Sequence, residues 1–296
     1  MATTTSTTAT ATAAKGGPGK AAVVPAVKGP SGPRAGRSPL RRALVPVLSV
    51  LMGFAGWYAV SYLLLSPDRR FLLPPPHEVL TESLLNPDRL QPMLEALAVT
   101  ARHTALGLAA STVIGVVAGI LMSRSRTVEQ VVFPYAVMLQ VIPVLALVPL
   151  IGIWFGYSSF SRTIVCTIIS LFPIITNTHF GMRSIDRSLH EMFTLGRASG
   201  PRRLISLELP AALPSILTGL RVASGQAVVG AIIGDMFFAQ GEAGIGTLLA
   251  SFQAQLRSHD MVAAIFLASL FGVAVFGLFA LITRLAVGRW HTSGSR

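Results

Sequence analysis

Glu191-Met-Phe-Thr-Leu-Gly-Arg-Ala-Ser-Gly-Pro-Arg-Arg-Leu-Ile-Ser-Leu-Glu-Leu-Pro210 is a polar, arginine-rich insert between two long apolar runs. Those neighbours set the class of the protein. Residues 163–182 carry no Asp, Glu, Lys or Arg, and 214–238 are interrupted only by Arg221 and Asp235. Further runs of this kind cover 43–65, 104–122, 130–161 and 261–283. A helix needs roughly 20 apolar residues to cross the hydrocarbon core. Arg221 and Asp235 would lie roughly 21 Å apart along a helix, near opposite membrane faces. The runs therefore predict an all-α membrane protein with six transmembrane helices, at 43–65, 97–122, 131–156, 163–182, 214–238 and 261–286. Composition agrees: 12% of the 296 residues are charged, about half the share of a soluble domain.

Orientation follows from the basic residues. Lys15, Lys20, Lys28, Arg34, Arg37, Arg41 and Arg42 make the N-terminal stretch basic, with no acid before residue 43. Arg124 and Arg126, the five arginines of 183–208, and Arg284, Arg289 and Arg296 mark the other basic segments. The alternate segments lean acidic: 66–95 has five acids against three arginines, and 235–260 has three acids against Arg257. Cytoplasmic loops collect Lys and Arg. This puts both termini and 184–213 in the cytoplasm, and 66–96 and 239–260 outside. Arg162, in a short outer connection, runs against the trend.

The net charge of +12 is the charge of a positive-inside membrane protein rather than of a nucleic-acid binder. Residues 1–42 are rich in Thr, Ala, Gly and Pro and are expected to be a disordered cytoplasmic tail. Arg41-Arg42 before an apolar run could open a twin-arginine signal, but no small-residue cleavage site follows. A basic tail beside the first span could also touch anionic lipid. The single cysteine, Cys166, excludes an internal disulfide and a cysteine-based metal cluster. The six histidines show no ligand spacing. No Gly-rich loop ends in Gly-Lys-Ser or Gly-Lys-Thr, so the chain has no ATPase site of its own.

Small residues recur at helix-packing intervals. Gly107, Ser111, Gly115 and Gly119 form one stripe, and Gly219, Ala223, Ala227 and Ala231 another. Lipid does not drive helices together, so close backbone approach through small faces must. Such a stripe packs within one subunit or forms a seam between two. The third span carries Pro143 and Pro149 near Gln140. Each interior proline removes a backbone hydrogen bond and kinks a helix. The freed carbonyls suit a water-filled path, which makes Gln140, Pro143 and Pro149 pathway candidates beside a plain packing kink.

The insert resembles the cytoplasmic coupling loop of permease subunits of bacterial ABC importers. That pattern is Glu-Ala-Ala, three residues, Gly, nine residues, Ile, any residue, Leu-Pro. Glu191, Leu209 and Pro210 keep the spacing, Met192 and Phe193 stand for the alanines, and Leu207 stands for the isoleucine. Arg197 occupies the glycine position, with Gly196 one place early. The rest of the chain resembles the sulfonate, taurine and nitrate type of this family. The matching residues are Leu73-Pro-Pro-Pro-His-Glu-Val-Leu80, Pro143, Ala146, Pro149-Leu150 and Trp154-Phe155-Gly156. Asn177, Gly181, Arg183, the string from Leu209 to Arg221, Asp235-Met236 and Gly244-Ile245-Gly246 continue it. In the second span Thr100, His103 and Gly107 take places where the family shows Ser/Thr, Arg and Gly.

The resemblance implies the type I ABC importer permease fold, with a core over 97–286, in the bacterial cytoplasmic membrane. It implies a non-enzymatic subunit whose partners are ATPase subunits, an extracytoplasmic solute-binding protein and a second permease copy. ATP would bind the partner and no cofactor this chain; the solute would be sulfonate-, nitrate- or similarly anion-like. Glu191, Gly196, Arg197, Ala198, Ser199, Gly200, Leu209 and Pro210 become the ATPase-coupling candidates. Asn177 and Asp235 join the pathway candidates, Asp235 as an outer gate or a contact for the binding protein. An ion-gradient-driven transporter or channel is the alternative; it would need ionisable relays inside the spans. A membrane-embedded enzyme lacks a paired nucleophile and base.

Overall fold

The computed structural model describes residues 39–287. The tail expected over 1–42 lies outside them, except that its last four residues already belong to helix α1. The C-terminal Arg289 and Arg296 also lie outside. The chain divides into two compact units, residues 1–50 and residues 51–296; the packing and the sites described below belong to the second.

The described residues form α1 (Pro39–Ala59), α2 (Pro76–Val79), α3 (Pro87–Arg124), α4 (Arg126–Val141), α5 (Val144–Phe155), α6 (Ser159–Arg183), α7 (Arg187–Leu195), α8 (Gly200–Arg203), α9 (Leu209–Phe237), α10 (Ile245–Ala254) and α11 (Ser258–Val287). Among them five helical stretches are long and apolar enough to cross a membrane, or six if the bent pair α4–α5 counts as one.

Local chemistry sets the boundaries. Pro87 opens α3, and the Asn86 side chain accepts the Asp88 N–H at 3.1 Å, a cap for one of the donors a helix start leaves free. The 38 residues of α3 make about 57 Å of helix, longer than the roughly 30 Å hydrocarbon core. The segment 66–96, expected as an outer connection, thus already contains the start of this helix. Residues 131–156, expected as one kinked span, form two helices bent by 105° at a short break. Proline disfavours the helical region for the residue before it; Ile142 is extended, with ψ 128°, ahead of Pro143. Pro149, by contrast, is tolerated inside α5.

α3, α6 and α9 form the core through small residues. A side chain at Gly115 would run into Ile174, and one at Gly119 would come within 2.6 Å of Thr178. Gly107 lies against Cys166, and Ser170 donates to Ser111 at 2.9 Å. The stripe 107/111/115/119 therefore meets 166/170/174/178 one to one, with α3 and α6 parallel. On the other side Gly219 meets Pro173 and Asn177, Gly230 meets Cys166 and Gly234 meets Arg162, so α9 runs antiparallel to α6. Ala223, Ala227 and Ala231 are buried with Leu108, Cys166 and Ile174. Both stripes are used within the chain. Apolar side chains along α11 stay exposed, among them Leu270, Val273 and Leu278, as a lipid-facing helix requires.

Candidate functional site

The insert folds as a helix, a turn and a second short helix that runs on into α9. Glu191 sits on α7, exposed, 3.3 Å from Arg187 one turn earlier. Leu189, Met192 and Leu195 are exposed apolar side chains on the same helix, Leu195 at 86%. The turn closes α7 by the doubled hydrogen-bond pattern of a Schellman motif: Ala198 N–H to Phe193 O at 3.0 Å and Arg197 N–H to Thr194 O at 3.0 Å. That motif needs a left-handed residue just past the cap. Arg197 supplies it, with φ 48°, while Gly196 has an ordinary φ of −73°. The position at which the ABC-permease pattern carries glycine is therefore the position that needs it, and this chain forces an arginine there.

A non-glycine residue in this region costs roughly 1–2 kcal/mol, offset in part by the extra freedom a glycine loses on folding. Arg197→Gly should therefore stabilise the turn by up to about 1 kcal/mol. Slower amide exchange across Arg187–Leu195, by up to about fivefold, would show it; faster exchange would refute it.

Ser199 precedes α8 in an extended conformation, and Pro201 fills its first turn, where a missing N–H costs nothing. Arg203 Nη2 donates to Thr194 Oγ1 at 2.8 Å and closes the loop on itself. Glu191, Gly196, Arg197, Ser199 and Gly200 are all exposed on this unit, with Ala198 partly covered. Leu209 and Pro210 are not at its tip. They start α9, where Leu209 packs on the cluster of Met182, Ala212 and Ile216.

The pathway candidates lie on different elements. Gln140, Pro143 and Pro149 are exposed on α4, the α4–α5 break and α5. Asn177 is half-buried in α6, its amide donating to Pro173 O at 2.8 Å. Asp235 departs furthest from expectation. It is fully buried, so it presents no surface to a binding protein or to headgroup water. Its carboxylate accepts the Thr100 hydroxyl at 2.6 Å and faces Arg162 Nη1 at 3.4 Å. Arg162 is equally buried and donates to the carbonyls of Phe238 at 2.7 Å, Gln240 at 2.9 Å and Glu242 at 2.8 Å.

Thr100 also accepts the Ile245 N–H at 2.8 Å, so the start of α10 is fastened to α3. Any side chain at Gly244 would overlap the Asp235 carboxylate, and one at Gly246 the Ile232 carbonyl. The charge that broke the alternation, Arg162, is thus the partner of the charge inside the fifth apolar run. Opposite charges at the ends of two small-residue helices were the available signal. Thr100, His103 and Gly107 meet Asp235, Thr163 and Cys166 in turn, which gives their spacing a packing reason.

Residues 111–288 match the family described as binding-protein-dependent transport system inner membrane component. The chain is 34% identical to the formylaminopyrimidine transport permease ThiX of Halalkalibacterium halodurans, over 79% of this chain and 91% of that protein. It is 31% identical to the taurine transport permease TauC of Escherichia coli, over 85% and 89%. Its backbone is similar to a chain of the MetNI methionine ABC transporter in inward-facing conformations, with TM-score 0.59 and 16% identity, covering 68% of this chain and 99% of that one.

Proposed function

The chain belongs to the inner-membrane components of binding-protein-dependent transport systems, the permeases of ABC importers for small solutes, and we propose that it turns ATP hydrolysis on a partner into movement of its spans through residues 184–213. It is a multi-pass membrane protein with the type I importer permease fold. The observation that carries the coupling reading is the exposed row Leu189, Met192 and Leu195 beside Glu191. Apolar side chains outside a bilayer and outside a core mark a surface that another protein covers. A short, capped helix–turn–helix continuous with α9 passes rigid-body movement into the core.

In this reading six spans cross the membrane, with α4 and α5 together forming the third, and both termini are cytoplasmic. Two copies form the pathway, two ATPase subunits bind ATP beneath them, and an extracytoplasmic protein delivers the solute. The solute is sulfonate-, nitrate- or similarly anion-like, on the likeness to the taurine permease, whose solute carries a sulfonate group. Arg162 is consumed by Asp235 and three carbonyls, so it is not free to hold the anion. The same pairing argues against an ion-driven relay, because Asp235 and Arg162 neutralise each other within the protein.

Single cysteines at 190–205, in a background lacking Cys166, should react with a membrane-impermeant maleimide only after the membrane is opened. Labelling of intact cells at these positions would invert the orientation and end the coupling assignment.

A further inference from the structure

We propose that Arg124 is a positioning residue that carries movement of the coupling segment into the transmembrane core. The proposal rests on 184–213 being the ATPase docking segment. Arg124 is the last residue of α3. Its Nη2 donates to Glu208 Oε2 at 2.7 Å and to Gly200 O at 3.2 Å. Gly200 is the first residue of α8, and Glu208 ends the turn that leads into α9. One guanidinium therefore ties the end of α3 to both ends of the second half of the segment.

Chain continuity joins the segment to α6 and α9. α3 has no covalent link to it; Arg124 supplies a polar one, beside the apolar cluster of Met182, Ala212 and Ile216 on which Ile120 of α3 and Leu204 of the segment both pack. α3 is also the helix whose glycines lock against α6, and a close-packed contact passes displacement on rather than absorbing it. A second tie runs alongside. Glu129 on α4 accepts from Arg183 at 2.7 Å and lies 3.2 Å from His179 Nε2, while His179 Nδ1 meets Ser123 Oγ at 3.2 Å. The ends of α3, α4 and α6 are thus joined beside Arg124, and a pull on α8 reaches all three.

The pair is partly exposed, Arg124 at 37% and Glu208 at 12%. Ion pairs of that kind add little to stability, so loss of this one should leave the fold in place. Its value is geometric. A guanidinium holds two acceptors in a fixed fork, whereas an ammonium is a point charge on a flexible stem.

The test uses the full chain with its ATPase and solute-binding protein in vesicles and reads ATP hydrolysed per solute taken up. Arg124→Gln should raise that ratio at least fivefold at normal protein level, because the ATPase still turns over while the core no longer follows. Glu208→Gln, which keeps the arginine, should shift it the same way and decides the matter if Arg124→Gln fails to accumulate. Arg124→Lys should fall between wild type and glutamine. A merely structural contact would lower uptake and hydrolysis together, so a wild-type ratio in Arg124→Gln and Glu208→Gln overturns the proposal. Failure of the loaded binding protein to stimulate hydrolysis with the wild-type chain would instead sink the coupling reading itself.

Discussion

Asp235→Ala is expected to destabilise the protein by about 3–5 kcal/mol, the usual result of removing one partner of a buried ion pair. The substitution leaves the Arg162 guanidinium buried without its counter-charge, while the Thr100 hydroxyl that now donates to the carboxylate keeps the Ala96 carbonyl within reach at 3.0 Å. Lower yield and an earlier thermal unfolding midpoint in detergent would both report it; an unchanged midpoint would show that the pair is not closed in the folded protein. Asp235→Asn should be milder, since it keeps an acceptor for Thr100 and loses only the charge. Exchanging a buried pair for apolar residues is often neutral, but not in this case. Arg162 also serves the carbonyls of Phe238, Gln240 and Glu242, and stranding the buried Phe238 carbonyl alone costs about 1–3 kcal/mol. Asp235→Ala combined with Arg162→Leu should therefore remain well below wild type.

The second large effect is functional and leaves stability alone. Glu191 is exposed and, among the described residues, pairs only with the exposed Arg187 one turn away, an arrangement of little energetic weight. Glu191→Lys should therefore accumulate and insert normally. It should reduce the ATP hydrolysis stimulated by loaded binding protein about tenfold, the equivalent of about 1.4 kcal/mol of lost docking energy. Arg187→Ala breaks the same intrahelical pair without reversing the charge at 191, so it separates helix effects from docking. Wild-type stimulation in Glu191→Lys would remove Glu191 from the docking surface.

The readable parts of this protein are those whose signal is local or periodic. Apolar runs of about 20 residues, the alternation of arginines, the four-residue recurrence of small side chains and the polar 191–210 insert each lie within one window of chain. They establish a helical membrane protein and its family, and mark where the polar segment lies along the chain. Even the locally odd Arg197 was visible as a mismatch, although its φ of 48° had to come from the turn.

What tertiary structure alone decided is which distant residues meet. Thr100 and Asp235 are 135 positions apart, Arg162 and Asp235 73, and Arg124 and Glu208 84. Hydropathy scores each of these charges by its own flanks, so Arg162 read as a charge against the trend in a short outer connection and Asp235 as an outer gate or a contact for the binding protein. Burial of an ion depends on whether the facing helix offers the opposite charge. The break at Ile142–Pro143 belongs to the same class: sequence marks the weak point, but the packing around it decides between a kink and a 105° turn.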